Sequence, residues 1–173
     1  EFSQFARFPA AKMEPAELNP VIREALDAFQ GRLEDIEVRL ELAPDLPRVL
    51  IDREQIKRVV VNLVDNAAEA MIEAPVKRLL IATQVTSTET VELTVADSGC
   101  GVSMEEKEKL FLPYFSTKGR GTGLGLAIVN HILSEHGAQI RVEDNLPAGA
   151  RFTIEFPPAA APVSEMPTAR SRA

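Results

Sequence analysis

Two glycine clusters constrain this chain more than any other feature of its sequence. Six of its nine glycines fall between residues 99 and 125, within the runs DSGCG at 97–101 and GRGTGLG at 119–125. Glycine has no Cβ, so it permits positive φ and lets a backbone approach a ligand closely. The second cluster leads into an apolar helical pattern that begins at Leu126, and a helix N-terminus favours phosphate. The clusters together indicate a phosphate-bearing ligand, although either one alone is equally consistent with an ordinary glycine-capped loop.

The sequence around the second cluster argues against two common nucleotide-binding folds. Residues 112–118 (LPYFSTK) predict a turn, so the strand that precedes the glycines of a dinucleotide-binding fold is missing. No Gly-Lys-Ser/Thr sequence follows the glycines, which argues against a P-loop.

Charge and composition narrow the class of protein. Nineteen Lys and Arg against 26 Asp and Glu give a formal net charge of −7, whereas a nucleic-acid partner requires a basic face. The single cysteine, Cys100, cannot form an intramolecular disulfide. No apolar run approaches the roughly 20 residues of a membrane span, and no leader opens the chain. We therefore expect a cytosol-compatible domain without a nucleic-acid partner.

The hydrophobic periodicity alternates between helices and strands. Asn19 before Pro20 predicts a helix N-cap, and Gly31 predicts the end of that helix. Asp52 and Gln55 predict a capping-box-like start of a long helix that runs to about residue 71. The other predicted elements are strands at 35–42, 78–86, 90–97, 138–144 and 150–156, and helices at 104–111 and 123–136. This order predicts an α+β fold, a two-layer α/β sandwich with a mixed, mostly antiparallel sheet.

The long helix carries two asparagines at the edge of its apolar stripe. Asn62 and Asn66 lie one helical turn apart. Asparagine is a mediocre helix former, so two of them there indicate a polar role such as offering a carbonyl oxygen to a metal ion. A single asparagine would more often be a satisfied structural amide, but Asp65 and Glu69 alongside favour a site.

These residues resemble, in chain order, the motifs of sensor histidine kinases. Residues 62–70 (NLVDNAAEA) look like the N box, 97–101 the G1 box, 111–115 (FLPYF) the F box and 121–125 (GTGLG) the G2 box. The resemblance covers about residues 13–156 and is to the catalytic ATP-binding domain (HATPase_c) of the GHKL superfamily. It implies the Bergerat fold, in which about three helices cover one face of the sheet, and it implies bound ATP or ADP with Mg²⁺.

The resemblance implies a role for each matched position. Asp97 would accept a hydrogen bond from the adenine amino group, and Gly101 would let the base pack against the backbone. Asn66 would offer its side-chain oxygen to Mg²⁺, and Asn62 would support the phosphates. The N–H groups around residues 123–125 would hold the β- and γ-phosphates beneath a lid formed by residues 102–121. The implied nucleotide-binding set is Asn62, Asn66, Asp97, Gly99, Gly101, Phe115, Thr117, Lys118, Gly121, Thr122, Gly123, Leu124 and Gly125, with Asn62, Asn66 and Lys118 as catalytic residues and Asn66 as the metal ligand.

The resemblance also implies partners that this sequence does not contain. The γ-phosphoryl group must reach a histidine, but His131 and His136 follow the phosphate loop and are both interpreted as structural. We expect the acceptor on an upstream dimerisation helix, so that this fragment binds ATP without phosphorylating itself. The phosphoryl group would then pass to the aspartate of a response-regulator receiver domain. The intact protein would be a homodimeric bacterial kinase anchored in the inner membrane with this part in the cytoplasm, and the fragment would be monomeric or weakly dimeric.

Three regions follow from this interpretation. Residues 1–12 are the end of the dimerisation helix and a linker, and their EFSQFAR sequence is similar to NtrY-type nitrogen-regulation kinases. A short N-terminal arm folded onto its own domain would also explain this segment. Residues 13–156 form the catalytic domain, and residues 157–173 are an Ala/Pro-rich tail expected to be disordered.

Two departures from the family pattern keep further functions open. Glu69 stands where many members carry a basic residue, which shifts the expected γ-phosphate contact to Lys118 or Arg120. Residues 148–150 (AGA) replace the usual Gly-Thr ending of the third glycine motif, so one polar contact near the adenine is in doubt. A GHKL-type ATPase carries a glutamate in place of Asn62, and an amide cannot act as a general base, although Glu69 leaves hydrolysis open. A serine kinase and a non-catalytic nucleotide-binding docking module are also compatible with an ATP site of this kind.

Overall fold

Helices and strands alternate along the part of the chain that the structure, a computed structural model, describes: residues 9–115 and 124–159. In chain order they are β1 (Glu14–Ala16), α1 (Leu18–Asp27), β2 (Glu37–Leu42), β3 (Val49–Ile51), α2 (Arg53–Ala70), β4 (Arg78–Val85), β5 (Val91–Asp97), α3 (Met104–Lys109), α4 (Gly125–Glu135), β6 (Gln139–Asp144) and β7 (Ala150–Phe156).

The main sheet has five strands in the order β2-β4-β5-β7-β6. Only β2 and β4 pair in parallel, and the other three pairs are antiparallel. The side chains of β5 alternate between the two faces of the sheet, so Leu93, Val95 and Asp97 share one face. The prediction of a mixed, mostly antiparallel sheet in an α+β fold is confirmed.

Three helices, α1, α2 and α4, cover one face of this sheet through a shared hydrophobic core. The predicted apolar stripe of α2 is buried, with Val59, Val60 and Leu63 each at most 1% exposed. Burial of one helical stripe against one sheet face is the arrangement that a two-layer sandwich requires. Every helix of the described ranges is too short or too polar to cross a lipid bilayer.

A small second sheet lies at the start of α2. Strand β1 pairs antiparallel with β3, and Pro158 bridges to Val49 of the same strand. The Ala159 N–H donates to the Arg48 carbonyl oxygen at 3.1 Å. Pro158 and Ala159 belong to the predicted tail, but in the structure Pro158 pairs with β3 and Ala159 bonds Arg48 just before that strand.

Two residues that were predicted to begin and end α1 have other positions in the structure. Asn19 is not the N-cap: α1 begins at Leu18, and Glu17 is the capping position. The Asn19 amide instead donates to the Ala43 carbonyl oxygen at 2.8 Å and accepts the Thr83 hydroxyl at 2.9 Å, linking α1 to the sheet. The helix ends at Asp27, and Gly31, with φ of +76°, lies in the turn that follows.

The apolar residues of β2, which alternate with polar ones along the strand, are only partly buried. Val38 and Leu40 are each 38% exposed, because β2 is an edge strand with a neighbour on one side only.

Candidate functional site

Asp97 lies at the end of the central strand β5, on the face that the helices cover, and it is 3% exposed. Its Oδ1 accepts the backbone N–H of Gly99 at 2.9 Å and that of Ala150 at 3.3 Å. One donor belongs to its own loop and the other to the first residue of β7. Two backbone donors therefore orient the carboxylate that the resemblance assigns to adenine recognition.

The loop after Asp97 packs tightly against the end of α2. A Cβ on Gly99 would lie 2.4 Å from the Ala70 carbonyl oxygen, which also accepts the Cys100 N–H at 3.1 Å. Gly101 has φ of +73°, and a Cβ there would lie 3.3 Å from the Gly149 carbonyl oxygen. Both glycines of the first cluster are thus required by backbone packing as well as by any ligand.

The β6–β7 hairpin holds Asp97 from the other side, and sequence analysis did not identify this contact. Asn145 donates its side-chain amide to the Asp97 carbonyl oxygen at 2.8 Å, and its backbone N–H donates to Gly149 at 2.9 Å. The run NLPAG at 145–149 is recognisable as a turn signal, but its partner 48 residues away is not. The third glycine motif, AGA at 148–150, lacks its usual threonine, which left one polar contact near the adenine in doubt. The backbone N–H of Ala150 in this motif donates to the Asp97 carboxylate.

The two asparagines of α2 have different surroundings. Asn62 donates its side-chain amide to the Gly125 carbonyl oxygen at 3.4 Å. The Nδ2 atom of Asn66 is buried and has no hydrogen-bond partner among the described residues. A buried amide donor without a partner is costly, so this atom is suited to donate to a bound ligand or water.

The acidic residues beside these asparagines lie in a different place. Asp65 and Glu69 line a surface groove of about 470 Å³, which neither asparagine lines. There Asp65 pairs with Arg32 at 2.8 Å, and Lys77 pairs with Asp35 at 2.8 Å. The two acids that favoured a site in the sequence are therefore part of a separate, charge-paired groove.

The second glycine cluster, residues 119–125, is described only at its last two residues, Leu124 and Gly125. Leu124 is the N-cap of α4, Gly125 is its first residue, and no acidic side chain occupies its first turn. A helix start of this kind presents unpaired N–H groups and the positive end of the helix dipole to an anion. The contact of Asn62 with Gly125 brings the N box to this helix start.

Several predicted site residues lie outside the described residues. They are Thr117, Lys118, Gly121, Thr122 and Gly123, together with Ser116 and Arg120 of the predicted lid. Phe115 is the last described residue before this gap, and it packs with Phe111 against the hydrophobic core.

Both histidines have protein partners. His136 is 4% exposed, its Nε2 accepts the Asp52 backbone N–H at 3.0 Å, and its Nδ1 bonds the Ile132 carbonyl oxygen at 2.7 Å. His131 Nε2 lies 3.6 Å from a carboxylate oxygen of Glu135. The buried, doubly bonded ring of His136 agrees with the structural interpretation from sequence.

The family described as histidine kinase-, DNA gyrase B-, and HSP90-like ATPase matches residues 51–160. This range contains α2, the Asp97 loop and the start of α4, which together carry the described part of the site.

Two curated relatives, a sensor histidine kinase and a sensor protein, are longer than this chain. The chain is 34% identical over 147 residues to the sensor histidine kinase ZraS of Escherichia coli O157:H7, covering 84% of this chain and 31% of the relative. It is 35% identical over 144 residues to the sensor protein FixL of Bradyrhizobium diazoefficiens, covering 82% of this chain and 28% of the relative. The chain thus spans about a third of the length of these relatives.

Solved structures have the same fold. The catalytic domain of histidine kinase ThkA, in a nucleotide-free form, superimposes with a TM-score of 0.76 at 37% identity, covering 86% of this chain and 97% of that one. Full-length ShkA in complex with AMPPNP superimposes with a TM-score of 0.77 at 26% identity, covering 94% of this chain and 35% of that one. ThkA in complex with the response regulator protein TrrA superimposes with a TM-score of 0.76 at 31% identity, covering 91% of this chain and 45% of that one.

The family match extends over most of the chain and includes every described motif of the site. The chain therefore belongs to the family of histidine kinase-, DNA gyrase B- and HSP90-like ATPases, as the catalytic ATP-binding domain of a sensor histidine kinase.

Proposed function

We propose that ATP binds between α2, the 97–101 loop and the start of α4, and that its γ-phosphoryl group passes to a histidine on an upstream dimerisation helix. The observation that carries this proposal is the contact of Asn62 with Gly125, because it joins the asparagine helix to an anion-favouring helix start. The adenine of ATP would then lie against Asp97, and its phosphates would lie at Gly125.

Adenine recognition is assigned to Asp97. Its carboxylate is held by the N–H groups of Gly99 and Ala150, so it is preorganised to accept the exocyclic amino group of adenine. Guanine carries a carbonyl oxygen at that position, and this oxygen would face the carboxylate as a second acceptor. The proposal therefore includes selectivity for ATP over GTP.

The residues of the site fit a magnesium ion held largely by the nucleotide. The described residues contain no cluster of three or more His, Cys, Asp or Glu side chains able to hold a metal. Mg²⁺ prefers six oxygen ligands and usually takes several from phosphates and water, so one amide oxygen suffices from the protein. Asn66 would supply that oxygen, and its buried Nδ2 would donate to a phosphate oxygen or a water. When bound, the ion neutralises the charge of the phosphates.

The acceptor of the phosphoryl group is proposed to lie outside this chain. In the transfer, the bond between the γ-phosphorus and the bridging oxygen breaks, a phosphorus–nitrogen bond forms on the histidine, and ADP leaves with the electron pair. Both ring nitrogens of His136 are already bonded, which supports an acceptor elsewhere. Lys118 or Arg120 is proposed to contact the γ-phosphate.

The proposal extends to the intact protein. We assign it a receiver domain as the phosphoryl acceptor after the histidine, a homodimeric state, and a position on the cytoplasmic side of a bacterial inner membrane. The complex of ThkA with the response regulator TrrA supports the first of these. Residues 1–12 would connect this domain to the dimerisation helix, and the similarity to NtrY-type kinases stays a prediction.

Hydrolysis is the second candidate reaction. It needs a carboxylate beside the attacking water, and Asn62 is an amide. Glu69 lies in the charge-paired groove with Arg32 and Lys77 instead. This placement favours transfer to a supplied histidine over hydrolysis.

Thermal unfolding of this chain with Mg²⁺ and either ATP or GTP tests the proposal. Ligand at a hundred times its dissociation constant should stabilise the folded state by about 2.7 kcal/mol. We expect the unfolding midpoint to rise with ATP and not with GTP. A midpoint that neither nucleotide raises would refute ATP binding by this chain. A supplied histidine-bearing dimerisation helix should then acquire phosphate from labelled ATP, and free phosphate alone would favour the hydrolase.

A further inference from the structure

His136 joins the far ends of the two helices that flank the proposed nucleotide site. It caps the C-terminus of α4, and its Nε2 accepts the backbone N–H of Asp52, the N-cap of α2, at 3.0 Å. The two residues are 84 positions apart in the sequence. At 4% exposure, the ring is shielded from competing water.

The partners of the ring determine its tautomer. A backbone N–H can only donate, so Nε2 must accept from Asp52. A carbonyl oxygen can only accept, so Nδ1 must carry the proton that bonds Ile132 at 2.7 Å. Nε2 therefore contacts the start of α2, and Nδ1 contacts the last turn of its own helix, α4.

A second contact joins the same two helices at the nucleotide end, where Asn62 donates to Gly125. Ten residues separate Asp52 from Asn62, and eleven separate Gly125 from His136. At 1.5 Å per residue these spans are about 15 and 16.5 Å, so α2 and α4 run antiparallel, with one contact to α2 at each end of α4.

The same end of α2 also holds the linker. The Lys12 N–H donates to Oδ2 of Asp52 at 2.9 Å, and the Gln55 side chain donates to the Pro9 carbonyl oxygen at 3.3 Å. Asp52 thus contacts the segment before β1 through its side chain and α4 through its backbone. The linker, α2 and α4 meet at this one residue.

We propose that His136 is a positioning residue for phosphate binding: it holds α2 and α4 in the register that places Asn62 and Asn66 against the start of α4. This inference rests on the proposed function, because it presumes that ATP phosphates bind at that start. Asp97 lies on β5 and receives its hydrogen bonds from its own loop and from β7. A shift of α4 along α2 should therefore impair phosphate binding more than adenine binding.

Two variants separate this role from a local one at the end of α4. In His136→Gln the side-chain oxygen lies as many bonds from Cβ as Nε2 does, so it can still accept from Asp52. In His136→Asn the polar atoms lie where Nδ1 was, so the bond to Ile132 can form but the bond to Asp52 cannot. Affinities for ATP with Mg²⁺ and for adenosine are measured by calorimetry for both variants and the wild type.

We expect His136→Asn to weaken ATP binding by about tenfold and adenosine binding by less than about threefold, with His136→Gln close to wild type for both. Equal losses for ATP and adenosine, or a worse result for Gln than for Asn, would overturn the inference. A wild type that binds no ATP would instead refute the proposed function.

Hydrogen exchange of the wild-type Asp52 amide provides a test that needs no variant. Linkage requires that a contact which favours ATP binding be stabilised by bound ATP in return. We expect AMPPNP to slow exchange of this amide severalfold and adenosine to leave it unchanged. Equal exchange in the free and AMPPNP-bound protein would contradict the positioning role even where His136→Asn fails to fold.

Discussion

Gly149 packs against Asp97 so closely that a Cβ on the glycine would lie 1.9 Å from the Asp97 carbonyl oxygen. Its φ of +104° is also a conformation that residues with a Cβ rarely adopt. Asn145 and Ala150, on either side of this glycine, donate hydrogen bonds to Asp97. The β6–β7 hairpin is therefore a support for the proposed adenine-binding carboxylate.

Gly149→Ala should lower the free energy of unfolding by about 2–4 kcal/mol and weaken ATP binding, because the hairpin must move away from Asp97. Urea denaturation and calorimetry measure the two effects. Gly137→Ala is the matched control: Gly137 also has positive φ, +64°, but its added Cβ would meet nothing within 4 Å. The control should lose only about 1 kcal/mol and keep its ATP affinity. Equal losses in both variants would contradict the support role of the hairpin.

Asp97→Asn should abolish detectable ATP binding while preserving the fold. The asparagine keeps an oxygen that can accept from Gly99 and Ala150. Its NH₂ group replaces the second carboxylate oxygen, so a donor would face the adenine amino group, which is also a donor. The unfolding midpoint without nucleotide serves as the control for folding. Unchanged affinity in a calorimetric titration would refute the assignment of Asp97 to adenine recognition.

Asn66→Ala should remove most of the dependence of ATP affinity on Mg²⁺. The variant loses the proposed oxygen ligand, and it also removes the buried Nδ2 that lacks a partner among the described residues. Calorimetric titrations with and without Mg²⁺ measure the change. Asn130→Ala, at an exposed position of α4, is the control and should behave as the wild type. An Asn66 variant whose affinity still rises normally with Mg²⁺ would move the metal site elsewhere.

Acid should weaken the N-cap of α2. Burial raises the pKa of Asp52, but the backbone N–H groups of Lys12, Gln55 and Glu54 outweigh it and hold the pKa below the ordinary value of 3.8. A carboxyl group with a depressed pKa stabilises the folded state above its unfolded-state pKa, and this contribution is lost as the pH falls through the folded-state pKa.

Asp52→Asn measures this contribution, because the asparagine oxygen can still accept the Gln55 N–H as an N-cap, but the side chain carries no charge and does not titrate in this range. We expect the wild type to be the more stable protein at neutral pH and its advantage to shrink below about pH 4. Urea denaturation of both proteins between neutral pH and about pH 3 gives the difference in the free energy of unfolding. A difference that is constant with pH, or that grows in acid, would contradict the prediction.

The order of motifs and elements followed from the sequence because each depends on residues close together in the chain. The apolar stripe of α2, the cap formed by Asp52 and the alternation of the strands are local patterns with periods of two or 3.6 residues. The glycines at 99 and 101 were recognisable for the same reason. These features determined the α+β fold and the assignment to the ATP-binding family.

Local signals failed where a side chain had a distant partner. Asn19 has the sequence signature of an N-cap, yet its amide bonds Ala43 and Thr83 because tertiary packing offered two partners for it. Glu69 lies about one helical turn after Asn66 within the N box, but its position on the helix places it in the groove with Arg32.

Local sequence thus determined which residue types stand at the site, whereas tertiary structure decided which of them touch. The bond of His136 to Asp52 spans 84 residues, and that of Asn145 to Asp97 spans 48. No periodicity or motif encodes such pairs, since they exist only after the helices and the sheet have packed into one core. The support of the 97–101 loop and the contact between the ends of α2 and α4 both depend on these long-range pairs.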